Sequence, residues 1–151
     1  MQLESVLRDR DVQYEMHCHR PTYTAQQLAQ VEGVPGRMVA KPVIVKGRSG
    51  FAMCVLPAPR HLDMRRVAEV LEDSEVRLAM ESEMEGLFPD CELGAEPAIG
   101  SLYGLRTIID RRLEEDDYVI TSAGTHDECV KMRREDWERL CNAVVASIAM
   151  E

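Results

Sequence analysis

The sequence predicts a mixed α+β fold in a single domain spanning residues 1–151. Three observations point there. Segments of strand period and helix period alternate along the chain. One pair of extended runs joins through a short glycine-bounded turn into a hairpin. No linker, internal repeat or low-complexity tract divides the chain, so hairpins and crossovers belong to one mixed unit. With 151 residues, 45% of them apolar, the chain is long enough to bury a substantial core.

The elements follow in order. Leu3, Val6 and Leu7 give residues 2–10 helical spacing, and a short strand is expected near Val12–His17. Thr24 and Gln27 match a capping box, which opens a helix through about Val31 that Gly33 ends. After the turn GVPG come two strands, Val39–Lys46 and Phe51–Leu56, around the turn GRSG. Asp63 caps a helix through about Leu71, with Val67, Val70 and Leu71 as its buried stripe. Residues 81–87 form a short acidic helix. The stretch FPDCELGAEPAIGSLYG (88–104) has four glycine or proline breakers after Pro89 and no period, so it is a long loop. Strands are expected at Arg106–Asp110, Tyr118–Ser122 and near Cys129–Met132. A last helix is expected over Glu135–Met150, burying Trp137, Leu140, Cys141, Val144, Val145 and Ile148.

Composition excludes several classes. No apolar run is long enough to span a membrane, and the mixed-charge start MQLESVLRDRD lacks the layout of a secretion signal. The expectation is a cytoplasmic protein without a membrane partner. Cysteines at 18, 54, 91, 129 and 141 are odd in number and contain no C-x-x-C pair, which argues for free thiols. The net charge of −9 is unevenly spread: residues 1–60 hold eight Lys and Arg against five Asp and Glu, residues 61–151 ten against twenty-two. A DNA-coating protein is basic throughout, so no DNA partner is expected. The N-terminal part could still meet a small part of a polyanion while the acidic remainder stays clear.

Few residues suggest chemistry. There is no G-x-S-x-G, so no nucleophile elbow. HCH (17–19) puts His17 and His19 on one face of an extended segment, where His126 or Asp127 could join them, but the spacing matches no recognised metal site. No metal and no cofactor is expected. Lys41 interrupts an apolar strand face that carries Val39, Val43 and Val45, where an ammonium group could anchor an anionic or carbonyl ligand as well as face solvent. The loop ELGAEPAIGSL can bring backbone N–H groups close to a ligand.

HRPTYTAQQLAQVEGVPGRMVAK, FPDCELGAEPAIGSLYGL, IID and SAGTHDECVKM occur in an order and spacing that resembles the YbaK/prolyl-tRNA-synthetase-associated family of aminoacyl-tRNA editing domains. The resemblance covers nearly the whole chain. It implies a compact, barrel-like mixed sheet with surrounding helices. Lys41 matches the family lysine that contacts the acylated end of tRNA. Gly94 to Ala98 aligns with a G-x-x-x-P loop around the reacting ester, except that Ala98 stands where the family has proline and Pro97 comes one place early. Gly100 and Ser101 continue that loop. His19, Tyr23 and Thr24 match the N-terminal wall of the pocket, and Asp110, Gly124 and His126 match positions around or beneath it. For Asp110 and Gly124 a structural role is the equal alternative. The implied activity is metal-independent hydrolysis of a mischarged small amino acid from tRNA, with alanine on tRNA(Pro) first and cysteine or serine open. The implied partners are the acceptor end of an aminoacyl-tRNA and an aminoacyl-tRNA synthetase. Two other readings stand beside it: a non-catalytic ligand- or synthetase-binding protein, and a metal hydrolase using His17, His19 and His126.

Overall fold

Val43, Val45, Ala52, Cys54 and Leu56 on one side, and Ala40, Ile44, Met53 and Val55 on the other, make the expected hairpin apolar on both faces. Such a hairpin must be covered twice, and it becomes the centre of the fold. In a computed structural model of the chain, which describes residues 3–151, its strands are β2 (Ala40–Gly47) and β3 (Gly50–Pro57), antiparallel with Lys41 opposite Leu56 and Val43 opposite Cys54.

The hairpin sits inside a five-stranded sheet. Its outer members are β4 (Arg77–Leu78), β5 (Arg106–Asp110) and β8 (Val144–Ala146), in the order β4-β2-β3-β5-β8. β5 is parallel to β3 and β8 is parallel to β5. A second, antiparallel sheet has the order β1-β7-β6, from Tyr14–Cys18, Glu128–Arg133 and Tyr118–Ser122. A parallel bridge between Val39 and Ile120 links the two sheets just ahead of β2. One core of Leu7, Ile44, Met53, Val55, Ile99, Ile109 and Trp137 lies on the Ile44 side of the hairpin. Val67 and Ile148 cover the Val45 side.

Helices close the faces. α1 (Leu3–Asp9) buries Leu3 and Leu7, one turn apart; position 2, where the helix was expected to start, lies outside the described residues. α2 (Ala25–Glu32) is capped as expected: Thr24 Oγ1 accepts the Gln27 N–H, and Gly33 closes it at φ 67°, where a side chain would be strained. Asp63 caps α3 (Met64–Leu71) by accepting the Arg65 and Arg66 N–H groups. α4 is Glu81–Leu87 and α5 is Arg134–Cys141. Among the described residues no helix is long and apolar enough to cross a membrane.

Two expectations need correction. The C-terminal helix does not run to Met150. Asn142 adopts a left-handed conformation (φ 47°) and returns its N–H to the Glu138 and Arg139 carbonyls, which ends α5. The next residues pair with β5 as β8, Val144 opposite Ile108 and Val145 opposite Ile109. Adjacent β-branched residues suit a strand better than a helix, and an apolar run of this length fits either period. The short strand β4 was also not foreseen; its two exposed residues carry no apolar pattern to read.

Candidate active site

The N-terminal wall and the region around position 126 come together where the chain leaves β1. The His19 N–H donates to the Asp127 carbonyl and the Thr22 N–H to the His126 carbonyl, both at 2.9 Å. His126 Nδ1 lies 3.1 Å from the Thr22 carbonyl, so that nitrogen carries the proton. The Tyr23 ring lies 4.7 Å from the His126 ring and is 66% exposed, an aromatic surface open to a ligand. His19 Nδ1 is 2.7 Å from the Arg20 carbonyl, which in the neutral ring leaves Nε2 as the acceptor. That Nε2 is buried and has no hydrogen-bond partner among the described residues. Thr24 does not face this wall with its hydroxyl, which is spent on capping α2.

The 88–104 loop is stitched to the same region. Glu92 Oε1 accepts the His126 N–H at 2.8 Å, while the Glu92 N–H donates to Gly124 and the Gly124 N–H to the Ala95 carbonyl. Gly124 holds φ at 102°, and Gly94 holds 90°, so glycine is required at both by backbone conformation. A side-chain carbon at Gly94 would lie 3.6 Å from His126 Cε1, an ordinary contact. His19, Tyr23, Gly94, Gly124 and His126 therefore form one continuous patch.

Three of the loop amides are occupied. The Gly94 N–H donates to Glu96 Oε1 (3.1 Å), the Ala95 N–H to the Glu92 carbonyl (3.0 Å) and the Ala98 N–H to Thr121 Oγ1 (2.8 Å). Ala98 is fully buried, and its carbonyl accepts from Trp137 Nε1 at 2.9 Å and from the Cys141 thiol. The departure from the G-x-x-x-P pattern has a physical reason here. Proline at 98 would lack the N–H that Thr121 accepts.

Of three further expected positions, Gly100 and Asp110 are buried and Ser101 is exposed but bonded to α5. A side-chain carbon at Gly100 would stand 2.1 Å from Thr107 Oγ1, so the site admits only glycine. The Ser101 hydroxyl donates to the Leu140 carbonyl. Asp110 is fully buried; Oδ1 accepts the Ile148 and Ala149 N–H groups at 2.9 and 3.0 Å, and Oδ2 accepts that of Arg112. These contacts are the ones that a structural role for Asp110, the alternative to pocket binding, calls for.

Among the described residues no hydrogen bond joins Lys41 to this patch. Alternation puts its side chain with Val43 and Val45, on the opposite face of β2 from Ala40 and Ile44, which share their core with Ala98. Its Nζ donates to the Ala58 carbonyl at 3.2 Å and to the Arg60 carbonyl. The ammonium is half-buried rather than in bulk water, and burial lowers its pKa. No carboxylate pairs with it among the described residues. What links it to the loop is indirect: Val39 bridges to Ile120, and the adjacent Thr121 holds Ala98.

Three residues escaped sequence reasoning. Glu92 joins the loop to His126. Thr121 binds Ala98. Glu96 is only 3% exposed, an acid inside the apolar stretch GAEPAIG, and that context was its one signal. The three histidines of the metal-hydrolase reading do not assemble. His17 turns instead to Glu32 and Cys129, and neither His19 nor His126 joins them.

Comparison with known proteins places the chain. The model of the aminoacyl-tRNA editing domain matches residues 19–140. The chain belongs to that family. The editing domain is 33% identical over 61 residues to a proline–tRNA ligase of Thermosipho africanus and 38% identical over 56 residues to one of Fervidobacterium nodosum. These stretches are 40% and 37% of this chain but only 11% and 10% of the ligases. Two crystal structures share the fold over 99% of the chain. The hypothetical protein APE2540 superposes with TM-score 0.89 at 22% identity and is covered completely. A protein proposed as a trans-editing enzyme for prolyl-tRNA synthetase superposes with TM-score 0.85 at 20% identity and is covered to 95%.

Proposed function

We propose that this editing domain is an aminoacyl-tRNA deacylase acting in trans, which hydrolyses the ester between a mischarged small amino acid, alanine foremost, and the terminal ribose of tRNA(Pro). Cysteine and serine esters are the next candidates. The observation that carries the reading is the state of Lys41. An ammonium group has three donors, and two are spent on main-chain carbonyls, so among the described residues one N–H and a charge without a carboxylate partner remain for a phosphate or ester oxygen. Dehydration strengthens that interaction.

The chemistry asks little of the protein. An ester is already activated, so position and charge stabilisation suffice. Lys41 anchors and polarises the substrate's 3′ end. Tyr23 offers a stacking surface for its terminal base, and His19 Nε2 accepts from a ribose hydroxyl or the α-ammonium. Gly94 can turn its N–H from Glu96 to the developing oxyanion, a donor worth about 10²–10³ in rate. Water, or a substrate group in its place, attacks. The step is routed without a metal, in the cytoplasm, and a synthetase is the partner that supplies the error. Such errors arise because a missing methylene discriminates by only about 1–3 kcal/mol.

A panel of aminoacyl-tRNAs incubated with the purified protein tests the reading. Release of alanine from Ala-tRNA(Pro), lost in Lys41→Ala with the fold intact by circular dichroism, supports it. Release at the uncatalysed rate for every member rejects it. A second reading is favoured by the occupied amides of Gly94, Ala95 and Ala98: a binding protein that recognises the acylated end without turnover. Saturable binding with no release identifies that case.

A further inference from the structure

We propose that His17, Glu32 and Cys129 form a zinc site that fastens the C-terminal end of α2 to the β1-β7-β6 sheet. His17 and Cys129 are directly opposite in the β1–β7 ladder, and Glu32 is the last residue of the helix lying over them. One ligand atom from each, a ring nitrogen, a carboxylate oxygen and the thiol sulfur, lies within 4.8 Å of the others. Zinc takes nitrogen, oxygen and sulfur together at roughly 2.0–2.3 Å, so small side-chain rotations close this trio around it.

A second observation points the same way. His17 Nδ1 faces Glu32 at 2.5 Å, while His17 Nε2 lies 2.9 Å from Glu15 Oε1 on the far side of the ring. A carboxylate on the outer nitrogen is the usual support for a metal-bound histidine, since it fixes the tautomer and orients the ring. The surroundings also fit. Cys129 is fully buried beside Leu28, Ala29 and Ile120, and the carbonyl end of α2 favours a cation. On coordination the Cys129 thiol and the His17 Nδ1 lose their protons to solvent, and water fills the fourth position. Sequence spacing hides this site because its ligands come from positions 17, 32 and 129 on three elements. The site is independent of the deacylase reading. It has a structural task, holding the helix whose other end carries Tyr23 and Thr24.

The test uses the full chain, stripped with a chelator and titrated with Zn²⁺ and with Co²⁺. One Zn²⁺ per chain, a higher melting temperature, and a thiolate-to-cobalt charge-transfer band with Co²⁺ are expected. Cys129→Ser should abolish the band, and Glu32→Gln should weaken Zn²⁺ at least about tenfold. Glu15→Gln should weaken it about 10- to 100-fold with the band retained, the mark of a positioning residue. Cys18→Ser, on the other face of β1, should change nothing. Absence of the band in the folded wild-type protein overturns the proposal, as does Zn²⁺ binding that Glu32→Gln leaves unchanged. If Cys129→Ser fails to fold, the wild-type band and Glu32→Gln decide.

Discussion

The N–H of Ala98 donates to the hydroxyl oxygen of Thr121 at 2.8 Å, with both residues fully buried. This bond fixes the loop that the family resemblance assigns to the reacting ester. Replacing Ala98 with the family's proline removes the donor and leaves the Thr121 hydroxyl only its long bond to the Ser122 carbonyl. Ala98→Pro should therefore destabilise by about 1–3 kcal/mol despite restoring the motif. Urea unfolding checks this, and Thr121→Ser, which keeps the acceptor, should lose much less.

Lys41 holds the segment after β3 through the Ala58 and Arg60 carbonyls, which leaves one donor without a partner among the described residues. Lys41→Arg should fail to restore deacylation, because a planar guanidinium fork does not reproduce the ammonium's three-way geometry. Single-turnover rates on Ala-tRNA(Pro) measure it; a rate within about threefold of wild type would remove the need for an ammonium, by transition-state arithmetic.

Asp110 gathers the N–H groups of Ile148, Ala149 and Arg112 without access to solvent. Asp110→Ala strips acceptors from buried donors and should cost on the order of 3 kcal/mol. Asp110→Asn should retain part of that stability. A substrate-binding role predicts the reverse, a rise in KM with the melting temperature unchanged.

Arg77 grips Glu83 with both guanidinium nitrogens, and the Met80 N–H adds a third bond. Arg77 first, then Met80, pulls the Glu83 carboxyl from 4.5 down to about 2. A lowered folded-state pKa gives stability that is present above 4.5 and is lost as pH falls toward 2. Acid unfolding of Arg77→Ala should therefore show a shallower decline across that window than wild type. Parallel curves for the two proteins would mean that the pair contributes nothing.

Local signals carried most of the fold. Thr24, Gly33 and Asp63 act where their caps were read, because a cap is a contest among neighbouring backbone groups. The β2–β3 hairpin was legible for the same reason, its alternation and its glycine turn lying within a few residues. The C-terminal strand was not. Val144 and Val145 suit a helix or a strand, and the parallel edge of β5, brought close from far along the chain, decides between them.

The candidate site divides along the same line. By itself the sequence picked out the candidates, a lysine within an apolar strand and a glycine-rich loop, since these are properties of short windows. Only the tertiary structure decided what each can reach: that Lys41 leans on Ala58 and Arg60, that Ala98 is anchored by Thr121, and that His17 meets Glu32 and Cys129. Those partners are distant in the chain, and contact between distant residues depends on how the sheets and helices pack, which no local pattern encodes.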